Sequence, residues 1–221
     1  MVSSFRVTQQ IWHCDALGVY SHYTSAGVGG LNSSRATDNS TFLRGVQLSD
    51  QAGLVGFDTI FPGYYVGRDT HIHLKVHLNG SLAAVNQTST GLENDDVNTN
   101  QTTAYYYYAG GSVVHTGQLF FEDAVSDAID ALAPYSTNPG NRTLLDEDNI
   151  YAGVTNASYG LLDVAYRNSS QGYAGGLVAT IILGIDTSAR PPTTRAAQLA
   201  AVPTNRCPRE ALLAAPKPHV P

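Results

Sequence analysis

His71-Ile72-His73-Leu74-Lys75-Val76-His77-Leu78 is the stretch on which the reading of the fold turns. Polar and apolar residues alternate at every step. Successive side chains of an extended strand point to opposite faces, so a period of two assigns a half-buried β-strand. Ile72, Leu74, Val76 and Leu78 share one face and are candidate core. His71, His73, Lys75 and His77 share the other. Asn79-Gly80 follows and reads as a turn.

The same signature recurs on either side. Phe5 to Trp12 alternates loosely, and Thr41 to Leu48 reads as a strand. Ser49-Asp50-Gln51-Ala52-Gly53 reads as a turn into a strand from Leu54 to Ile60. Further strands are expected at Ser112 to Phe121 and Leu177 to Ile185. Helix is expected only at Glu122 to Leu132, where acids come early and Ala133-Pro134 closes the run. Residues 87–103 are polar and read as a loop. Short, frequent strands between Gly, Asn, Asp and Pro clusters imply an all-β sandwich or barrel. The architecture expected is a β-sandwich with long loops and one short helix. Residues 1–186 are expected to form that domain. Residues 187–221, rich in Pro and Ala and without alternation, are expected to form a disordered tail.

Composition narrows the function classes. Charged residues are 14% of the chain, against ~25% in ordinary soluble domains. The net charge is -6 and there is no run of Lys or Arg, which argues against a nucleic-acid partner. No apolar run reaches the ~20 residues of a membrane helix. Asn-x-Ser/Thr occurs eight times, at Asn32, Asn39, Asn79, Asn86, Asn100, Asn141, Asn156 and Asn168. Many acceptor sites and few charges suit a secreted glycoprotein wetted partly by sugar. Residues 1–15 carry neither a basic nor an apolar leader region, so no signal peptide is read within this chain. Cys14 and Cys207 could pair with one another, or one could lack its partner.

The chemistry starts from His71-Ile72-His73. Two imidazoles at i and i+2 of a strand face the same way and can share one metal ion. Alone, such a pair is more often two polar residues on a wet strand face. Two tyrosines upstream, each beside a glycine-rich bend, strengthen the metal reading: Gly18-Val19-Tyr20-Ser21 and Phe61-Pro62-Gly63-Tyr64-Tyr65. Imidazole suits iron among other metals. Phenolate is a hard anionic donor, and tilts the choice from zinc to Fe(III). A slipped loop register would substitute Tyr64 for Tyr65. Trp12 reads as core. Tyr105 to Tyr108 reads as structural or as pocket rim. Cys14 reads as half of a disulfide or a buried thiol.

The segments Ile11 to Ser21, Thr41 to Gly45, Phe61 to His73 and Thr116 to Phe121 together resemble the intradiol ring-cleavage dioxygenases, in particular their fungal extracellular branch. The resemblance covers roughly half the chain, residues 11–121. It implies an Fe(III) centre with Tyr20, Tyr65, His71 and His73 as ligands. It implies that Tyr65 doubles as a general base, and that Arg68 and Gln118 lie against the substrate. It further implies a small catechol-type substrate and O2 as partners, and no organic cofactor. Two departures accompany it. Asp69-Thr70 stands where the bacterial intracellular enzymes have Pro-Ala. About ten residues precede Ile11, so the N-terminus is read as truncated. Two other classes remain beside the enzyme. One is a non-catalytic β-sandwich binding aromatic or carbohydrate ligands on stacked tyrosines. The other is an inactive truncated homologue with a structural role.

Overall fold

The computed structural model describes residues 6–21, 41–85, 105–153, 160–192 and 213–214. It is mostly β with one short helix, as the alternation predicts, and is consistent with a β-sandwich. Strands β1 (Val7–Trp12), β2 (Arg44–Leu48), β3 (His71–Val85) and β4 (Tyr105–Phe120) precede helix α1 (Asp123–Asp130). Strands β5 (Asp163–Tyr166), β6 (Leu177–Thr180) and β7 (Leu213–Ala214) follow it. The main sheet has the order β2-β1-β3-β4-β7, with every pair antiparallel. β5 and β6 form a separate two-stranded ribbon.

The register sets two faces. On one, Ile11, Ile72, Leu74, Val76, Leu78 and Leu119 pack into a buried cluster completed by Val114, Phe121 and Leu162. Phe57, Phe61, Val164, Ile181, Leu183 and Ile185 close over it as the second layer. Full burial of such side chains stabilises by roughly 1.5–3 kcal/mol each. On the other face, Trp12 lies opposite His73 on β1, and Gln118 opposite His73 on β4. The central strand thus brings together side chains from three segments that are far apart in the chain.

Several elements differ from the sequence reading: β4 begins at Tyr105 rather than Ser112, and β5 lies where no strand was expected. β3 does not stop at Asn79-Gly80 but runs to Val85. Asn79 takes a left-handed φ of 59°, and Gly111 across the sheet takes 77°. Gly80 pairs with Gly110 between them, so the kink in one strand is matched in its neighbour and the ladder resumes. Leu54 to Ile60 joins no ladder among the described residues. It is anchored by the Leu54 N–H to Asp50 Oδ1 at 2.8 Å and by Thr59 Oγ1 at 2.8 Å from His13 Nε2, and its Phe57 ring lies so close to Gly45 that a Cβ there would stand 3.0 Å away. The strand expected from Leu177 to Ile185 pairs only as far as Thr180. Beyond it Ile181, Leu183 and Ile185 keep facing the core.

In the tail, Leu213 and Ala214 pair with Tyr106 and Tyr105 of β4. Residues 193–212 and 215–221, with Cys207, lie outside the described residues, as do the loop at 87–103 and His22. Cys14 is a buried free thiol that donates to the Gly63 carbonyl at 3.2 Å. Among the described residues no helix is long and apolar enough to cross a membrane.

Candidate metal centre

The first tyrosine is aimed by a turn. Asp15 accepts from the Leu17 and Val19 amides through Oδ1, at 2.9 and 3.0 Å. Its own N–H donates to the Val19 carbonyl at 2.9 Å. An Asp that bonds the backbone two residues on is the usual way to hold such a turn. Gly18 supplies the positive φ of 80°. Arg44 of β2 then ties down the next residue, donating to Ser21 Oγ at 2.9 Å and to the Ser21 carbonyl at 2.8 Å. Tyr20 is left buried, pointing at the sheet.

The second tyrosine comes from a loop pressed against that turn. The Gly63 N–H donates to the Asp15 carbonyl at 3.2 Å. A Cβ on Gly63 would sit 2.5 Å from that oxygen, and one on Gly18 would overlap the Tyr64 carbonyl. Only glycine permits backbones to approach so closely. Tyr64 turns away, its hydroxyl donating to the Gly140 carbonyl at 3.1 Å. Tyr65 turns inward, with its ring centroid 5.7 Å from those of Tyr20 and His71.

On β3 the two imidazoles meet. His71 Nε2 lies 3.3 Å from His73 Nε2 and 3.2 Å from the Tyr20 hydroxyl. Its other nitrogen, Nδ1, donates to the Asp69 carbonyl at 2.6 Å. That bond places the ring proton on Nδ1 and leaves the Nε2 lone pair facing His73 and Tyr20. Trp12 stacks on His73, with centroids 4.7 Å apart and planes 2° from parallel. Trp12 therefore fixes a site ring as well as filling space. Burial lowers the pKa of His71 to about 4 and that of His73 well below the ordinary value. Both are thus neutral imidazoles at pH 7, the form that binds a metal.

Arg68 completes the group. Its Nη1 donates to the Tyr65 hydroxyl at 3.3 Å, and its Nη2 donates to Gln118 Oε1. Its Nε donates to Asp148 Oδ2 at 2.8 Å. Asp148 is fully buried and also accepts from the Asp69 and Ile150 amides, at 2.8 and 2.9 Å. Burial alone would raise its carboxyl pKa. The Arg68 bond and the amides outweigh that and hold it below the usual range. Burial also raises the pKa of the Tyr65 hydroxyl, with Arg68 pulling the other way.

The donor set fits a hard trivalent ion. Two donors each about 2.0–2.2 Å from one ion stand roughly 3–3.5 Å apart, the spacing found for Tyr20–His71 and His71–His73. Two neutral imidazoles and two phenols give a 3+ ion two anionic oxygens once the phenols ionise. One adjustment is needed. Gln118 Nε2 lies 3.3 Å from His73 Nδ1, an arrangement in which Nδ1 accepts. Ligation through Nε2 requires the amide to turn and accept from Nδ1–H, which gives up its bond from Arg68 Nη2 and leaves Arg68 held by Asp148. Among the described residues no group of three or more His, Cys, Asp or Glu side chains could hold an ion, so any metal here depends on the tyrosines.

All six residues singled out in the sequence are in this one place: Tyr20, Tyr65, Arg68, His71, His73 and Gln118. Sequence reasoning missed Asp148 and Asp69, and assigned Trp12 to the core alone. Nothing in Leu145-Asp146-Glu147-Asp148 marks one acid out from its neighbours.

No family model matches the chain, and no curated relative does. Solved structures do. An intradiol ring-cleavage dioxygenase from Tetranychus urticae is similar with a TM-score of 0.59 at 25% identity. The match covers 85% of this chain and 74% of that one. A second solved dioxygenase matches with the same values. The fold of this protein therefore resembles that of the intradiol ring-cleavage dioxygenases. The fungal extracellular branch is not among these matches.

Proposed function

We propose that this chain is a secreted, glycosylated, non-haem Fe(III) intradiol dioxygenase. It opens catechol-type rings between the two hydroxylated carbons with O2 and releases muconate-type diacids. The observation that carries this reading is the meeting of two phenols and two neutral imidazoles beside an anchored guanidinium. The dioxygenase likeness supports it. Exposed acceptor asparagines at Asn79, Asn141 and Asn168 suit the glycosylated form.

Tyr20, Tyr65, His71 and His73 would hold the iron. Ferric iron, when bound, supplies Lewis acidity that binds a catechol as its dianion and draws electron density from the ring. The protein's own groups do the rest. Tyr65 Oη, as the phenolate, would take one of the substrate's two hydroxyl protons and solvent the other, so that Tyr65 serves as both ligand and base. The Arg68 guanidinium, held by Asp148, faces the negative charge that develops on the ring oxygens. Gln118 offers an amide to the same charge. Trp12 keeps the His73 ring in plane and water away from its back.

The test is a visible spectrum of iron-loaded protein, before and after catechol is added without oxygen. A tyrosinate-to-iron band that shifts with catechol supports the reading. A colourless protein that takes up no iron returns the chain to a binding module. In Tyr65→Phe, iron is retained in part and turnover falls at least about a hundredfold. Turnover at the wild-type rate would remove the base role.

A further inference from the structure

Where the chain enters the ligand strand, a second cluster meets Asp69. Arg142, almost fully enclosed, meets four carboxylates: Asp69 Oδ1 at 2.7 Å, Asp123 Oδ1 at 2.5 Å, Asp130 Oδ2 at 3.2 Å, and Asp127. Three of these acids come from one face of α1, spaced at 123, 127 and 130. The fourth, Asp69, belongs to the loop that enters β3. Asp69 is wholly buried and is gripped at three points. Its carboxylate accepts from Arg142 and from the Thr70 amide at 2.7 Å. Its N–H donates to Asp148 at 2.8 Å. Its carbonyl accepts from His71 Nδ1 at 2.6 Å.

We propose that Arg142 is a positioning residue for the metal centre. Through Asp69 it fixes the carbonyl that sets the His71 tautomer and aims Nε2 at the other donors. The proposal deepens the iron reading, because it concerns a ligand of that same centre. A planar guanidinium with five donors can span the helix acids and Asp69 at once; an ammonium presents only a point charge. Partners of this kind, behind a ligating histidine, commonly change metal affinity 10–100-fold when removed. The link is also separable from the fold. In Asp69→Ala, Arg142 keeps its three helix carboxylates, while the connection to the ligand loop is cut.

The experiment has two readouts. The first is the His71 tautomer in the metal-free protein, read by ¹⁵N NMR. Wild type shows the proton on Nδ1 alone; Asp69→Ala and Arg142→Gln show a mixture of tautomers. The second is ferric affinity. It falls about tenfold or more in each variant, and the double variant is no weaker than either single one, as expected when two residues act through one contact. Asp127→Asn, at the exposed rim of the cluster, changes neither readout. Should Arg142→Gln not fold, Asp69→Ala carries the test, with Asp69→Asn as its milder form. A single Nδ1–H tautomer persisting in the folded variants overturns the proposal. So does a ferric affinity within twofold of wild type. Wild type that binds no iron sinks the dioxygenase reading instead, and the tautomer readout still decides the role of Arg142.

Discussion

On one face of β3, Ile72, Leu74, Val76 and Leu78 pack among apolar neighbours. On the other, one residue out of step, His71 and His73 meet Tyr20, Trp12 and Gln118. The first face is held by area removed from water, which is non-directional and tolerates exchange of one apolar residue for another. The second is held by directed contacts, each with a named donor and acceptor. A core of this kind loses stability in proportion to what is removed. A site of this kind loses function when one angle is lost, even though the chain stays folded.

The comparison can be broken with four measurements. Leu74→Ala, at a position 1% exposed, should cost about 2–5 kcal/mol in denaturant unfolding. The molecules that remain folded should bind iron as wild type does. His71→Ala should reverse that pattern, with ferric binding weakened more than about a hundredfold and cooperative unfolding retained. Equal losses on both readouts in both variants would mean the two faces are not separable.

The third measurement is pH. His71 is lowered by burial to about 4 from an ordinary 6.5, so the unfolded chain takes up a proton that the folded chain refuses. The stability it contributes is complete above pH 6.5 and is lost as pH falls toward 4. For His71 alone the loss is about 2 kcal/mol between pH 6.5 and 5. Asp69, raised by burial to about 6 from 3.8, acts in the opposite sense. Its strain is present above pH 6 and is relieved as pH falls below it. Metal-free Asp69→Asn should therefore lose stability more steeply between pH 6.5 and 4 than metal-free wild type. A slope no steeper than wild type would contradict the assignment. The smallest effect belongs to the outer surface: Ile182→Thr, at a side chain 99% exposed, should leave the unfolding midpoint where it is.

The apolar face was legible because alternation is a local signal, and one strand of it assigns every side chain to a face. Four of the six candidate residues were legible through short motifs: a glycine-bordered tyrosine in each of two loops, and an i, i+2 histidine pair; Arg68 and Gln118 came only with the family resemblance. What supports them was not. Asp148 reaches Arg68 across 80 positions, and Arg142 reaches Asp69 across 73. No pattern within a window carries such a pairing. Leu54 to Ile60 misled for a related reason. Its composition is that of a strand, but a strand also needs a neighbour with free backbone groups, and that neighbour is not written in the segment. Asn79-Gly80 misled because the kink is matched on β4, more than thirty residues further along the chain.

The close seating of Gly18 and Gly63 against the opposite loop also bears on how the chain folds. The two tyrosine loops touch only after some forty residues between them have been looped out, and Asp148 must then arrive from further still. Contacts of such separation have to overcome loop-closure entropy before they return any stabilisation, and sheet proteins built on them fold in milliseconds to seconds rather than microseconds. The centre at Tyr20, Tyr65, His71 and His73 should accordingly be among the last parts to form during refolding. Tyrosine and tryptophan signals from it should trail the far-ultraviolet signal of the sheet.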